Sequence, residues 1–512
     1  MSTGQICILI TIIVYMLGMV IIGLVFSRKN KNVGDFYLGG RKLGPIVSAM
    51  SAEASDMSSY LLMGLPGLAY LCGCAEVGWT VIGLAVGTYL NWLLVAKRLR
   101  VYSQKCGAIT LPDFFSNRYR DNKRIIMGIS ALIILIFFVP YTASGFKACG
   151  TLFNSLFGID YHVAMIISAV VIIAYTSLGG FLAASFTDLI QSIVMTTALV
   201  ILVVFGVNKA GGFDAVMDNA KSLTNYLSMT KTTNEAGESV SFGFLSIVST
   251  LAWGLGYFGM PHILLRFMAI NDKNKVKTSR RIASIWVVIA MGVAVFIGII
   301  GNALSANGTV GKLTTSADSE TIVLKIAEYM SKHGVALALI GGLIFAGILA
   351  CTMSTSDSQL LAASSSMSEN IFKGVFKMKI SEKTSMLIAR GVLIVIAVLG
   401  VILAWDPNSS VFRVVSFAWA GFGATFGPLM LCALFWKRSN KYGAIAGLIV
   451  GAVTIFVWKF GISKLGGVFA IYELLPAFIL ALATIIIVSL LTAKPDDEIV
   501  EEFETVKKEL KA

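Results

Sequence analysis

Apolar runs of about 20 residues recur along this chain, and about 20 residues of helix match the hydrocarbon thickness of a bilayer. Backbone polar groups find no water at that depth, so each run must satisfy its own N–H and C=O groups as a helix. The 512 residues are 56% hydrophobic and 13% charged, with a mean hydropathy of +0.82. Soluble domains carry about a quarter charged residues. The expected class is an all-α polytopic membrane protein. Thirteen spans are expected, near residues 5–27, 44–72, 77–96, 125–153, 162–178, 184–207, 243–268, 282–304, 334–372, 384–405, 411–436, 442–461 and 472–493.

The first run, from Cys7 to Phe26, is longer than a signal-peptide core. It lacks a basic leader and a small-residue cleavage site, so it reads as a retained helix. The seven cysteines, at 7, 72, 74, 106, 149, 351 and 432, show no metal or disulfide spacing and read as small apolar packing residues.

Positive charge orients the spans. Of the 41 Lys and Arg residues, 27 fall in alternate connections: Arg28 to Lys42, Lys97 to Arg124, Arg266 to Arg281, Lys373 to Arg390 and Lys437 to Lys441. The positive-inside rule places that set in the cytoplasm, the amino terminus outside and the carboxyl tail inside. The net charge of +13 is then a topology signal, and no aromatic-basic motif calls for nucleic acid. The acidic stretch from Asp496 to Glu504 reads as a solvated or short-helical extension. Two polar external segments, Asn208–Val240 and about Ala306–Lys332, are long enough for short helices such as Ala317–Tyr329.

Within the second span a carboxylate, Asp56, stands among Ser51, Ser55, Ser58 and Ser59, with Gly64, Pro66 and Gly67 following. An ionised group at bilayer depth costs at least a few kcal/mol. A carboxylate beside a weakened helix points to a cation site in a transporter. Five spans later Gly254, Gly256, Gly259 and Pro261 weaken another helix. Interrupted helices at matching places in two halves point to an inverted repeat of spans 2–6 and 7–11, with the site between them and spans 1, 12 and 13 outside. Such glycines also serve close helix packing.

Span 9 carries Ser354, Thr355, Asp357 and Ser358, mostly along one helical face. Their oxygens suit Na⁺ rather than soft metals; hydroxyls in a membrane also bond back to their own helix. Asp188 has two readings: a cap at the start of span 6, or a ligand for a second ion facing span 9. His162, His262 and His333 are far apart, and no nucleophile–base pair or phosphate loop is evident, so an enzyme is not expected.

Longer motifs carry a resemblance. They are FYLGGR at 36–41, SAEASDMSSYLLMGLPG at 51–67, ASGF at 143–146, GGFLAASFTD ending at Asp188, WGLGYFGMPHILLRFMAI from Trp253, and MSTSDSQLL from Met353. The chain resembles the sodium/solute symporter family, and within it the proline-carrying branch, over roughly residues 5–490. The resemblance implies a LeuT-type 5+5 inverted repeat with an extra amino-terminal helix. The expected organisation is 1–43 (first helix and loop), 44–207 (first repeat), 208–242 (external loop), 243–436 (second repeat), 437–493 (peripheral spans) and 494–512 (tail).

By the same resemblance, Na⁺ binds the carbonyls of Ala54 and Met57 and the hydroxyls of Ser354 and Thr355, with Asp56 and Ser58 beside them. Asp188, Asp357 and Ser358 form a candidate second cation position. L-proline lies near Tyr141, Trp253, Tyr257, Pro261 and Ser58. Arg41 and Glu76 resemble charged positions tied to function. Two residues depart from the pattern: Glu53 stands where a small residue is usual, and Asp357 where some members have serine. Glu53 reads either as a protonated group or as one reaching an aqueous cavity. The expected function is import of L-proline with Na⁺ across the cell membrane. A symporter of another carboxylate or a sugar, a Na⁺ channel and a nutrient sensor are the alternatives.

Overall fold

The computed structural model describes residues 2–27, 32–233 and 238–511; Arg28, Lys29 and Lys31 of the first basic connection, and 234–237 of the Asn208–Val240 segment, lie outside the described residues. The helices that carry the argument are, in chain order, α1 (Thr3–Ser27), α2 (Pro45–Ser59), α3 (Leu65–Cys72), α4 (Cys74–Lys105), α5 (Leu111–Arg118), α6 (Ile125–Phe157), α7 (Tyr161–Ala210), α8 (Phe244–Leu251), α9 (Pro261–Ala269), α10 (Val276–Ala306), α11 (Ile322–Ser331), α12 (Val335–Ser365), α13 (Glu382–Leu403), α14 (Val411–Phe435), α15 (Lys441–Phe460), α16 (Leu474–Leu491) and α17 (Asp497–Lys511).

Among the described residues ten helices are long and apolar enough to cross a membrane, or eleven with α8 and α9 taken as one bent span. The expected spans 44–72 and 162–178 are helical as well. The first is divided by its break, and the second is a shorter apolar helix, Tyr161–Ala174. The expected thirteen therefore exceeds the number that pass on length and apolarity. Burial sorts centre from rim: the apolar window of α14 is 89% buried, and those of α1 and α15 only 22%. By that measure α1 and α15 lie at the rim. Their outer faces carry exposed Val14, Ile21, Val453 and Val457, which suits contact with lipid tails.

Both expected interruptions occur, but the first lies upstream of its glycines. Helix α2 begins with Pro45, whose missing N–H costs nothing at a helix start. It breaks at Ser58, one residue before its end, where φ is 47° and ψ is −168°. A wide turn over Tyr60–Gly64 then leads into α3. Gly64, Pro66 and Gly67 stay helical. Gly67 instead lets a loop approach, since a Cβ there would meet the Glu320 backbone at 2.7 Å. The second interruption is a tighter helical run, Ala252–Gly259, followed by extended Met260 and then Pro261 opening α9. The bend is 47°. Here close packing is the glycines' role: a Cβ on Gly256 would strike the Trp419 ring.

The two broken helices are joined at one end. The Leu43 N–H donates to Ala269 O (3.1 Å), and the Asn271 N–H to Leu43 O (3.0 Å). Arg41 clamps the same junction through Met268 O (2.6 Å), Ala108 O (2.6 Å) and both oxygens of Ser103 (3.0 and 3.1 Å). A third break, at Gly180 (φ 66°, ψ −175°), divides α7.

Of the two readings of the tail, solvated or short-helical, the helical one holds, and the helix is docked rather than free. Residues Asp497–Lys511 form a helix that buries Ile499, Phe503 and Val506. Its acidic face meets the basic connections: Arg120 to Glu502 (2.6 Å), Lys437 to Glu504 (3.3 Å) and Lys105 to Glu509 (3.7 Å). Phe503 sits against Tyr102 and under the guanidinium of Arg118. Charge counting missed this because the apolar residues recur at 499, 503 and 506, a helical spacing hidden among acids. The polar segments at the other face form a helix, Phe213–Ser222, a hairpin pairing Lys231–Thr233 with Ser239–Ser241, and α11.

The hydrogen bond from Lys437 holds the Glu504 carboxyl below its ordinary value. A depressed carboxylate contributes to docking above its free value, about 4.3, and loses that contribution as pH falls through the depressed one. Raised salt screens the same ion pairs. Hydrogen-exchange protection of 497–511 should therefore drop in 1 M salt and in acid. Phe503→Ala should lower it further still at neutral pH, while α14 stays protected.

Candidate functional site

At the first break, the end of α2 is held open by its neighbours. Ser58 occupies a backbone region costly for any residue with a side chain, of order 1–3 kcal/mol. Its Oγ accepts from the Tyr60 N–H (3.2 Å). The Ala54 carbonyl, one turn before the break, accepts the Ser354 hydroxyl of α12 at 2.8 Å. Ser354 also lies 3.1 Å from Cys351 O, and Thr355 turns its hydroxyl back to that same carbonyl (3.1 Å). Hydroxyl back-bonding and a contact between helices are thus both present.

Asp56 is the centre of a second set. Its Oδ2 accepts the Tyr257 hydroxyl at 2.6 Å, and its backbone carbonyl accepts the Tyr141 hydroxyl at 3.3 Å. Its Oδ1 is fully buried without a hydrogen-bond partner. The three residues come from α2, α6 and the Ala252–Gly259 run, so both broken helices meet at this carboxylate.

Trp253 stands apart from that set, in an aromatic stack with Tyr60 (5.8 Å between ring centres), Phe412 (5.4 Å) and Tyr472 (5.1 Å). The Trp419 indole donates to Trp253 O (2.8 Å). Beyond the stack a cavity of about 620 Å³ is lined by Glu76, Trp253, Phe412 and Tyr472. That is where Glu76 lies. Pro261 is buried at the start of α9, marking the second break.

Asp188 does not cap a helix: it lies eight residues past the Gly180 break, inside α7. It is wholly buried and pairs with Arg266 (3.1 Å). Arg266 Nη2 also donates to Ser358 Oγ (2.5 Å), Nε to Ser51 Oγ (3.0 Å), and Nη1 to His262 O (2.9 Å). Asp188 and Ser358 are therefore brought together, with a guanidinium between them. Asp357 is buried beside them, accepting from Ser358 Oγ at 3.1 Å.

The sequence reading missed Arg266 because it counted that residue with the basic connection. Its place inside the apolar run LLRFMAI was the available signal. It also missed Trp92, whose indole donates to Glu53 (3.0 Å), and His262, whose ring is buried against Phe138 and Tyr141. Spacing along one helix carries no information on those partners.

A sequence profile described as the Sodium:solute symporter family matches residues 36–451. The chain belongs to the sodium:solute symporter family. It is 42% identical to the sodium/proline symporter of Haemophilus influenzae over 98% of each chain. It is 40% identical to the high-affinity proline transporter PutP of Bacillus subtilis, over 95% of this chain and 98% of that one. The sodium/proline symporter of Escherichia coli is also 40% identical, over 97% and 95%.

Among solved structures, a substrate-bound, outward-open Na⁺-coupled sialic acid symporter superposes with a TM-score of 0.79. The identity is 19%, over 96% of this chain and 99% of that one. A nucleobase-cation-symport-1 family transporter in a closed conformation gives 0.52 at 16% identity, over 92% and 98%. These likenesses establish the LeuT-type fold. This family member is a multi-pass membrane protein of a transporter family.

Removing one partner of a buried ion pair leaves a bare charge, at a cost of about 3–5 kcal/mol. Arg266→Ala should thus lower the unfolding temperature of the purified protein sharply. Adding Asp188→Asn to that variant should restore part of the loss, because the stranded charge goes with it.

Proposed function

We propose that this chain carries L-proline and Na⁺ together into the cell as a secondary transporter. The observation that carries the reading is Asp56, a buried carboxylate with one unpartnered oxygen, where two broken helices meet. Its support is relatives named as sodium/proline symporters and proline transporters at about 40% identity over nearly the whole chain.

Na⁺ takes the Ala54 and Met57 carbonyls with the Ser354 and Thr355 hydroxyls. Ser354 and the Ala54 carbonyl already touch, and an ion between them replaces one hydrogen bond by two oxygen ligands. Asp56 supplies charge compensation and Ser58 lies at its side. Proline packs its ring near Tyr141, Tyr257, Trp253 and Pro261, where aromatic faces suit an apolar ring. Asp188 is compensated by Arg266, so a cation held by Asp188, Asp357 and Ser358 requires that guanidinium to withdraw.

Ion binding joins α2 to α12 and orders the proline pocket. By linkage, proline then raises Na⁺ affinity by the same factor. A potential of 100 mV adds about 2.3 kcal/mol for each positive charge moved inward. The amino terminus faces outward and the tail inward, since α17 docks on the basic connections.

The test is labelled L-proline uptake into proteoliposomes under an inward Na⁺ gradient, against equimolar K⁺. Accumulation with Na⁺ alone is expected, and undiminished accumulation without any cation gradient would overturn the reading. Asp56→Ala should abolish uptake. Ser354→Ala with Thr355→Ala should raise the half-saturating Na⁺ concentration about tenfold or more, each lost ligand removing on the order of 1 kcal/mol. Trp253→Ala should weaken proline more than Na⁺. Orientation has its own readout: exposed Cys72 should react with an impermeant maleimide added outside intact cells.

A further inference from the structure

Helix α17 is joined to α16 by residues 493–496, which lie outside any helix. Two groups of elements meet beneath it. The first is the end of α4 with the connection after α9. The Arg100 guanidinium ties them through Ile270 O, and Asn271 carries them on to Leu43 at the joint of the two broken helices. The second is the end of α5 with the connection after α14. There Arg118 Nε donates to Ala433 O (3.0 Å), and the Tyr119 and Ser439 hydroxyls lie 2.9 Å apart. Arg98 crosses from the first group to the second, reaching Leu434 O at 3.3 Å.

The tail makes a further crossing. Its last turn grips the first group: Lys273 Nζ donates to Glu509 O (2.6 Å), Lys97 Nζ donates to Leu510 O (3.1 Å), and Lys105 pairs with the Glu509 carboxylate (3.7 Å). Two turns earlier, about 10 Å along the helix, it grips the second. Arg120 pairs with Glu502 (2.6 Å) and Lys437 with Glu504 (3.3 Å). The basic partner of each ion pair is exposed, so dissolved salt reaches all three.

Between the two grips lies Phe503, packed on Tyr102 and 5.4 Å from the guanidinium carbon of Arg118. Tyr102 and Tyr119 complete an aromatic cage round that group, at 5.4 and 5.1 Å. Cation–π attraction favours the cage. Yet Arg118 Nη1 and Nη2 are fully buried without a hydrogen-bond partner, and stranded donors count against the docked state. Phe503 is the wall that the tail supplies, so undocking gives those donors water. Three apolar side chains and three screenable ion pairs stand against two stranded donors, the balance a reversible latch needs.

We propose that α17 is a strap released by salt. Docked, it holds the two groups together and slows opening of the site on its side of the membrane; raised ionic strength there frees it and speeds turnover. The proposal rests on the symporter reading above and adds its regulation. Alternating access requires the joined ends of the broken helices to part from their surroundings on that side, and the strap ties those ends to α5 and α14.

The test is labelled L-proline uptake into proteoliposomes under a fixed Na⁺ gradient, with choline chloride raised on both faces and sorbitol holding osmolality constant. From about 0.05 M to about 0.5 M salt the screening length falls from roughly 14 Å to roughly 4 Å. The maximal rate of the unaltered protein is expected to rise about threefold or more, the combined effect of three modest exposed ion pairs. The triple variant Glu502→Gln, Glu504→Gln, Glu509→Gln should be fast already at low salt and gain nothing from more. Arg120→Glu should lose part of the salt response, and adding Glu502→Arg should bring it back, which a mere packing defect would not allow. A rate in the unaltered protein that is flat or falling with salt overturns the proposal without any variant having to fold. So does a folded triple variant that keeps the unaltered salt response. Na⁺-driven uptake at a salt-independent rate leaves the symporter reading standing. Absence of Na⁺-driven uptake at every salt concentration removes that reading itself.

Discussion

Arg266 holds four structural elements in register around the two helix breaks. Its three nitrogens reach Ser51 on α2, Asp188 on α7, Ser358 on α12 and the His262 carbonyl on its own helix. A buried ion pair is a weak source of net stability, because desolvation offsets most of its attraction. Its effect lies in permitting few arrangements: each donor has an acceptor in one packing and would be stranded in most others. The rest of the site follows by helix geometry. Ala54 lies one turn beyond Ser51, and Ser354 one turn before Ser358. The two helices run in opposite senses, so both steps go the same way. The Ser354 hydroxyl consequently meets the Ala54 carbonyl at 2.8 Å.

The breaks themselves have different origins. Pro261 and three glycines make the second one by local chemistry, since the proline lacks an N–H and the glycines let Trp419 and neighbouring backbone approach. The first break has no such excuse. Ser58 carries a side chain in a backbone region that disfavours one, while Gly64 and Gly67 nearby remain helical. Strain of that kind persists only where surrounding contacts impose it. Here those contacts include the hydrogen bonds that anchor Ala54 and Asp56 to α12, α6 and Tyr257.

Much of this was legible in the sequence, and the losses have physical causes. Apolar length revealed the spans, because the bilayer imposes a length whatever the tertiary partners are. Proline and glycine revealed the second break for the same local reason. The carboxylate at Asp56 was legible because its cost at depth does not depend on what surrounds it. Partners were not legible. Asp188 and Arg266 are 78 residues apart, and nothing along either helix tells that they pair. The docked tail was hidden by its own acids, whose charge dominates composition while three apolar side chains set where it binds.

The hydrogen bond from Tyr257 to Asp56 connects ion chemistry to access. Tyr257 packs edge-on against Trp419 with ring centres 5.0 Å apart, and Trp419 donates to the carbonyl of Trp253. Trp253 in turn stacks with Tyr60, Phe412 and Tyr472, the aromatic layer beneath the 620 Å³ cavity. On the proposed reading, a cation at Asp56 weakens the Tyr257 hydrogen bond to the same carboxylate, and any shift of that ring is felt by Trp419. Packed aromatic layers interdigitate at crystal-like density, so they shift between discrete arrangements rather than deform smoothly. The buried Asp56 carboxylate is thus connected, three side chains away, to the aromatic layer that lines the cavity.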